Sequence, residues 1–171
     1  MQKSIPKIMK LPDYITCLNL ISGLLSIYSA IHHHYLAAAL LLLAGVFFDA
    51  IDGYAARRMH LESKFGAELD SLSDLVTFGV APMVLVTAYY NTNWLSLLAI
   101  LIPLGGALRL ARHNVNRHLT KGYLIGLPIT VSGVVMPLLI VFKLSANVAA
   151  AVIVLLALFY VSTRRVNKLL H

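Results

Sequence analysis

Apolar positions gather into six runs along the chain, at about Tyr14 to Ile31, Tyr35 to Ala56, Phe65 to Tyr90, Trp94 to Leu110, Tyr123 to Phe142 and Ala146 to Val161. Most approach the ~20 residues with which a helix crosses the hydrocarbon core of a bilayer. The separators are short and turn-like or charged: His32 to His34, Arg57 to Lys64, Asn91 to Asn93, Arg112 to Lys121 and Lys143 to Ser145. Loops this short force consecutive helices to run antiparallel. The pattern predicts an all-α, integral membrane bundle of six transmembrane helices, one domain over 1–171, in which 1–12 is an interfacial N-terminal segment carrying Lys3, Lys7 and Lys10. No small-residue cleavage site follows the first apolar run, so this start reads as retained and not as a signal peptide.

Composition agrees: 59% of the residues are apolar and 12% charged, which excludes an ordinary soluble domain. Fourteen Lys and Arg against seven Asp and Glu give a formal charge of +7. In the six-helix arrangement Lys3, Lys7, Lys10, Arg57, Arg58, Lys64, Arg109, Arg112, Arg117, Lys121, Arg164, Arg165 and Lys168 fall on one side, and Lys143 on the other. The positive-inside rule makes that side cytoplasmic, with both termini and the loops after helices 2 and 4, in a multi-pass protein of the cell membrane. The basic excess thus fits topology and anionic lipid headgroups, not nucleic acid. Cys17 has no partner for an intrachain disulfide, and no Cys/His cluster has zinc-site spacing. His32, His33 and His34 are consecutive in an outer loop, so their side chains diverge and read as solvated.

The carboxylates break the pattern. Asp49, Asp52, Asp70 and Asp74 lie in the cytoplasmic halves of helices 2 and 3, where a charge costs about 2.5–3.5 kcal/mol to insert and normally faces a partner or a wet cavity. At 100° per residue Asp49, Asp52, Gly53 and Ala56 share one helix face, and Gly66, Asp70, Asp74 and Thr77 another. Asp49 precedes Arg57 by eight residues and Asp70 follows Lys64 by six, so both faces carry their acids roughly 10 Å below one membrane surface. Oxygen-only ligands suit Mg²⁺, Mn²⁺ or Ca²⁺, and four negative charges balance two divalent cations. Gly53 and Ala56 leave room on the same face, and Arg57 beside it suits a phosphate or pyrophosphate. The residues alone therefore point to phosphoryl chemistry at the membrane surface, with a cation transporter or channel as the alternative from another class.

The stretch Asp49-Ala-Ile-Asp52-Gly53-Tyr-Ala-Ala56-Arg57, eight residues, then Gly66-Ala-Glu-Leu-Asp70-Ser-Leu-Ser-Asp74 resembles the signature of the CDP-alcohol phosphotransferases, D-x2-D-G-x2-A-R-x8-G-x3-D-x3-D, at all fixed positions and gaps. Leu11-Pro12-Asp13-Tyr14-Ile15-Thr16 with Asn19, Val76-Thr77-Phe78-Gly79-Val80-Ala81-Pro82, Leu108-Arg109-Leu110-Ala111-Arg112 and Gly126-Leu127-Pro128 resemble the phosphatidylserine synthase branch. Two positions depart from that branch: Asp13 stands where an Asn is usual, and Thr130 where a second proline is usual.

The resemblance implies a homodimer that transfers a phosphatidyl group from CDP-diacylglycerol, or an archaeol analogue, to L-serine and releases CMP. It implies that Asp49, Asp52, Asp70 and Asp74 hold two divalent cations (Mg²⁺ or Mn²⁺), with Asp74 also the general base. Gly53, Ala56, Arg57 and Gly66 then place the CDP moiety, with Thr16 and Asn19 either touching the nucleotide or tying helices together. Arg109 and Arg112, three apart at the cytoplasmic end of helix 4, are expected to receive the serine carboxylate, or else to serve as membrane anchors. Glycerol 3-phosphate or inositol phosphate is the alternative acceptor, with Arg117 and Lys121 as further cations. Glu68 is expected to face away from Asp70, toward Lys64, and Gly122-x3-Gly126 to pack helix 5 closely.

Overall fold

The computed structural model describes residues 4–116, 123–162 and 165–167. Among them the chain forms α1 (Ile5–Ile8), α2 (Leu11–Ile31), α3 (Tyr35–Arg58), α4 (Lys64–Asp74), a π-helical turn (Leu75–Val80), α5 (Ala81–Tyr90), α6 (Asn93–Ala99), α7 (Leu101–Asn116), β1 (Tyr123–Ile125), α8 (Thr130–Val141), α9 (Ala146–Val161) and β2 (Arg165–Asn167). The π turn joins α4 and α5 into one rod, Lys64–Tyr90, and α6 and α7 form another, Asn93–Asn116. With α2 and α3 these make four helices, among the described residues, long and apolar enough to cross a membrane. The chain is a helical membrane protein. Helices α8 and α9 are equally apolar but shorter, at 12 and 16 residues, or about 18 and 24 Å of rise.

The fifth helix differs from the sequence expectation. It starts at Thr130 and not at Tyr123, because Gly126 takes a left-handed φ of +76° and Pro128 both lacks an N–H and disfavours the helical region at Leu127. Ahead of that turn, Tyr123–Ile125 pairs antiparallel with Arg165–Asn167, Leu124 opposite Val166, so the helical bundle also carries a two-stranded ribbon. Gly126 is therefore a turn residue and not part of a helix-packing motif. Lys3, Arg117, Lys121, Gly122, Arg164 and Lys168 lie outside the described residues.

Prolines mark the other irregularities. Pro103 withholds a donor from the carbonyl of Ala99 and its ring crowds it, and the helix breaks at Ile100 between α6 and α7. Pro82 likewise has no N–H for the carbonyl of Phe78 in the α register, and the Ser132 hydroxyl of α8 donates to that carbonyl. A side chain from a neighbouring helix thus meets a backbone acceptor that lipid would leave unsatisfied.

Two apolar clusters hold the bundle. Phe78, Ala99, Ile102, Ile129, Met136, Ile153 and Tyr160 join the π turn to α6, α7, α8 and α9, while Ala30, Ala38, Leu42, Ala81, Leu85 and Ile140 join α2, α3, α5 and α8. The outward faces stay apolar, with Leu36, Phe47, Leu97 and Leu108 all exposed, as acyl-chain contact requires. Side-chain bonds bring the two ends of the bundle together separately. At one end Lys10 Nζ donates to the Glu62 carbonyl at 3.2 Å, and at the other Tyr35 Oη donates to Ala88 O at 3.0 Å and Tyr90 Oη to Leu144 O at 2.8 Å. Lys7, Lys10, Arg57, Arg58 and Lys64 belong to the first end and Lys143 to the second, with the exposed histidine turn.

Candidate functional site

Helix α3 carries Asp49, Asp52, Gly53, Ala56 and Arg57 toward α4, which carries Gly66, Asp70 and Asp74. The α4 start is set locally: Ser63 is extended and its Oγ accepts the Gly66 N–H at 2.9 Å, a side-chain N-cap. From there the i, i+4 spacing puts Asp70 and Asp74 on one face. One carboxylate oxygen from each of Asp49, Asp70 and Asp74 lies within 4.8 Å of the others, and Asp74 is only 7% exposed. Carboxylates this close repel one another unless a proton or a cation is held between them. Three hard oxygen donors, with no His or Cys in the group, fit a divalent cation of the Mg²⁺ or Mn²⁺ type.

Asp52 stands outside that trio. Thr16 Oγ1 of α2 donates to Asp52 Oδ2 at 2.7 Å, and Asp52 lines a pocket of about 130 Å³ with Thr16, Gly53, Ala56, Arg57, Gly66 and Asp70. Asn19, one turn along α2, donates from Nδ2 to Asp74 Oδ1 at 3.3 Å, and its own Oδ1 is buried without a hydrogen-bond partner. The Asn19 carbonyl accepts from Thr77 Oγ1 of the π turn at 3.1 Å. Thr16 and Asn19 therefore orient the acids from α2. Asp70 alone among the described residues belongs to both the carboxylate trio and the pocket wall. Gly53 lies beside the Arg57 guanidinium, where a Cβ would be in ordinary contact with Nη1 at 3.4 Å. Glu68 is exposed, as its place on the helix predicts.

The two arginines of α7 separate. Arg109 is 8% exposed, lies within electrostatic reach of Asp74 and Asp49, and its Nε has no hydrogen-bond partner. Arg112 instead donates Nη1 to Val161 O at 3.0 Å and Nη2 to Tyr160 O and Ser162 O at 2.9 and 3.0 Å, closing the C-terminal turn of α9. Of the two, Arg109 has an unmade donor and lies within electrostatic reach of the acids, whereas Arg112 is bonded to the end of α9.

Sequence reasoning passed over Asp13, Glu62 and Ser63 as pocket residues. Asp13 is 4% exposed, accepts the Lys10 N–H at Oδ2 (2.8 Å), and presents Oδ1 so near Gly66 that a Cβ there would stand 2.5 Å away. The legible signal was its place as an acid in the first turn of α2 after Pro12, where it caps the helix. The π turn directly after Asp74 had no sequence signal, although such turns recur at functional sites.

A membrane bundle with aspartates converging beside an arginine-lined pocket defines a class, and the family comparison specifies it: residues 9–162 match the CDP-alcohol phosphatidyltransferase model, and the chain belongs to that family. It is 45% identical over 130 residues to the CDP-diacylglycerol–serine O-phosphatidyltransferase of Methanocaldococcus jannaschii, covering 74% of this chain and 58% of that protein. It is 37% identical over 132 residues to the protein of the same name from Bacillus subtilis, covering 75% and 74%. Similarity to the archaetidylserine synthase of Methanothermobacter thermautotrophicus is 39% over 137 residues, covering 77% and 58%. The match thus spans a little over half the length of the two archaeal relatives, 58% of each.

Proposed function

We propose that this protein transfers the phosphatidyl group of CDP-diacylglycerol, or of an archaeol analogue, to L-serine, releasing CMP. The observation that carries the reading is the convergence of Asp49, Asp70 and Asp74, joined through Asp70 to a pocket that Asp52 and Arg57 also line. Support for serine comes from the serine-transferring relatives at 37–45% identity. In this reading Asp49, Asp52, Asp70 and Asp74 hold two divalent cations, Mg²⁺ or Mn²⁺. When bound, these neutralise charge on the pyrophosphate and on departing CMP.

The chain's own residues do the rest. Gly53, Ala56 and Gly66 keep the pocket walls low so that the nucleotide lies against backbone, Arg57 pairs with its phosphates, and Thr16 and Asn19 fix Asp52 and Asp74. The serine hydroxyl forms the new P–O bond as the bond to CMP breaks, and Asp74 takes the hydroxyl proton. Arg109, buried with its Nε donor unmade and within electrostatic reach of the acids, receives the serine carboxylate, because a buried donor is costly until an acceptor meets it. We further place all six apolar helices across the cell membrane in a single domain, with α1 at the interface, both termini and the site on the cytoplasmic side, and the protein as a homodimer.

The assay is purified protein with CDP-diacylglycerol and Mn²⁺ or Mg²⁺, with radiolabelled serine, glycerol 3-phosphate or inositol phosphate supplied separately. Serine-dependent CMP release is the expected result, whereas release only with a phosphorylated acceptor overturns serine and ion flux without CMP release overturns the enzyme. Arg109→Gln is expected to raise the KM for serine at least about tenfold, while the KM for CDP-diacylglycerol moves less than about twofold. Equal rises in both would remove Arg109 from the acceptor side.

A further inference from the structure

Outside the aspartate site, Arg112 makes a polar latch of three hydrogen bonds. Its guanidinium spans three successive carbonyls, Tyr160, Val161 and Ser162, at the end of α9, where helix carbonyls have no intrahelical partner. Gly126 closes the same corner from the α8 side. At φ +76° it brings the chain so near that a Cβ would lie 2.8 Å from Arg112 Nη2 and 3.1 Å from Tyr160 O, and the Leu127 N–H donates to Phe159 O at 3.3 Å. The latch fixes Tyr160, which is fully buried, donates its hydroxyl to Ile129 O at 3.3 Å, and would stand 3.2 Å from a Cβ at Gly105 of α7. Tyr160 is in turn within electrostatic reach of Arg109, one helical turn from Arg112 on α7.

We infer that Arg112 is a positioning residue for the acceptor side of the site: by latching the end of α9 to α7 it holds Tyr160 packed at Gly105, one turn before Arg109, and so fixes the stretch of α7 that carries Arg109 toward the acids. The inference rests on the reading of Arg109 as the acceptor's anion partner. It assigns Arg112 no contact with the acceptor, since both of its terminal nitrogens are held by backbone carbonyls at the end of α9. Lysine cannot reproduce a planar fork across three carbonyls, but it keeps the charge and part of the bonding.

The test is a double-mutant cycle on the full chain in lipid nanodiscs, reading KM for serine and for CDP-diacylglycerol together with thermal unfolding. Arg112→Gln is expected to raise the serine KM about tenfold with little change in the CDP-diacylglycerol KM, and Arg112→Lys to recover part of the loss. Gly126→Ala, which disturbs the latch from the α8 side by pressing on the Arg112 guanidinium, is expected to give the same split. In the Arg109→Gln background Arg112→Gln should add nothing to the serine KM. Additive losses in the double variant would make Arg112 a direct ligand, and lower thermal stability with both KM values unchanged would make it a structural cap; either overturns the inference. An Arg109→Gln variant with normal serine KM overturns the acceptor reading itself, and the inference with it.

Discussion

Asp70→Asn should lower CMP release by at least ~10³-fold, the scale of losing one preorganised electrostatic contact in a transition state. The change preserves side-chain shape, so the effect isolates charge. Asp70 is where it is largest because this carboxylate alone, among the described residues, faces both the Asp49–Asp74 pair and the pocket. An amide there brings one weaker ligand oxygen and an NH₂ group, and it reduces the trio from three negative charges to two. Mn²⁺ binding followed by electron paramagnetic resonance should weaken in parallel, separately from turnover. Glu62→Gln is the matched control: Glu62 lines the same pocket but is exposed and outside the trio, so its loss should change activity by less than about threefold. Activity of Asp70→Asn within about tenfold of the parent would sink the assignment of this trio as the cation site.

Much of this site could be read before any coordinates. Asp49 and Asp52, three apart, and Asp70 and Asp74, four apart, have a helical face as their simplest arrangement, and acids in apolar helices converge because isolation in lipid is expensive. Thr16 and Asn19 were legible as a polar pair on one face of α2, although which of their two readings applied depended on what stood opposite. They meet Asp52 and Asp74, so helix tying and site building are one function here. The parts that escaped are those fixed by distant partners. The ribbon joins residues 123–125 to 165–167, and no local period encodes that pairing. Arg112 looked equivalent to Arg109 on a helical wheel, but the end of α9, some 50 residues later, claims its guanidinium. Apolar continuity through Tyr123 to Phe142 hid a turn that Gly126 and Pro128 impose together.

Gly23→Ala should cost about 1–3 kcal/mol of stability and lower kcat by roughly 10- to 100-fold, although Gly23 touches no acid. The reason is the packing of the π turn. A Cβ at Gly23 would lie 2.8 Å from Thr77 Cα, a backbone atom that has no rotamer by which to retreat. Relief requires α2 and the π turn to separate, which stretches the Thr77 Oγ1 bond to the Asn19 carbonyl and draws Asn19 away from Asp74. The pocket side, built on Thr16, Asp52 and Arg57, lies nearer the start of α2, so the KM for CDP-diacylglycerol should move less than kcat. Gly45 of α3 approaches the same threonine but meets its methyl, with a Cβ 2.7 Å from Thr77 Cγ2. Thr77→Ser deletes that methyl and keeps the hydroxyl, so it should rescue Gly45→Ala and fail to rescue Gly23→Ala. Thermal unfolding and kcat of the four variants in nanodiscs check both halves, and rescue of Gly23→Ala by the serine would show that the clash is not with the backbone.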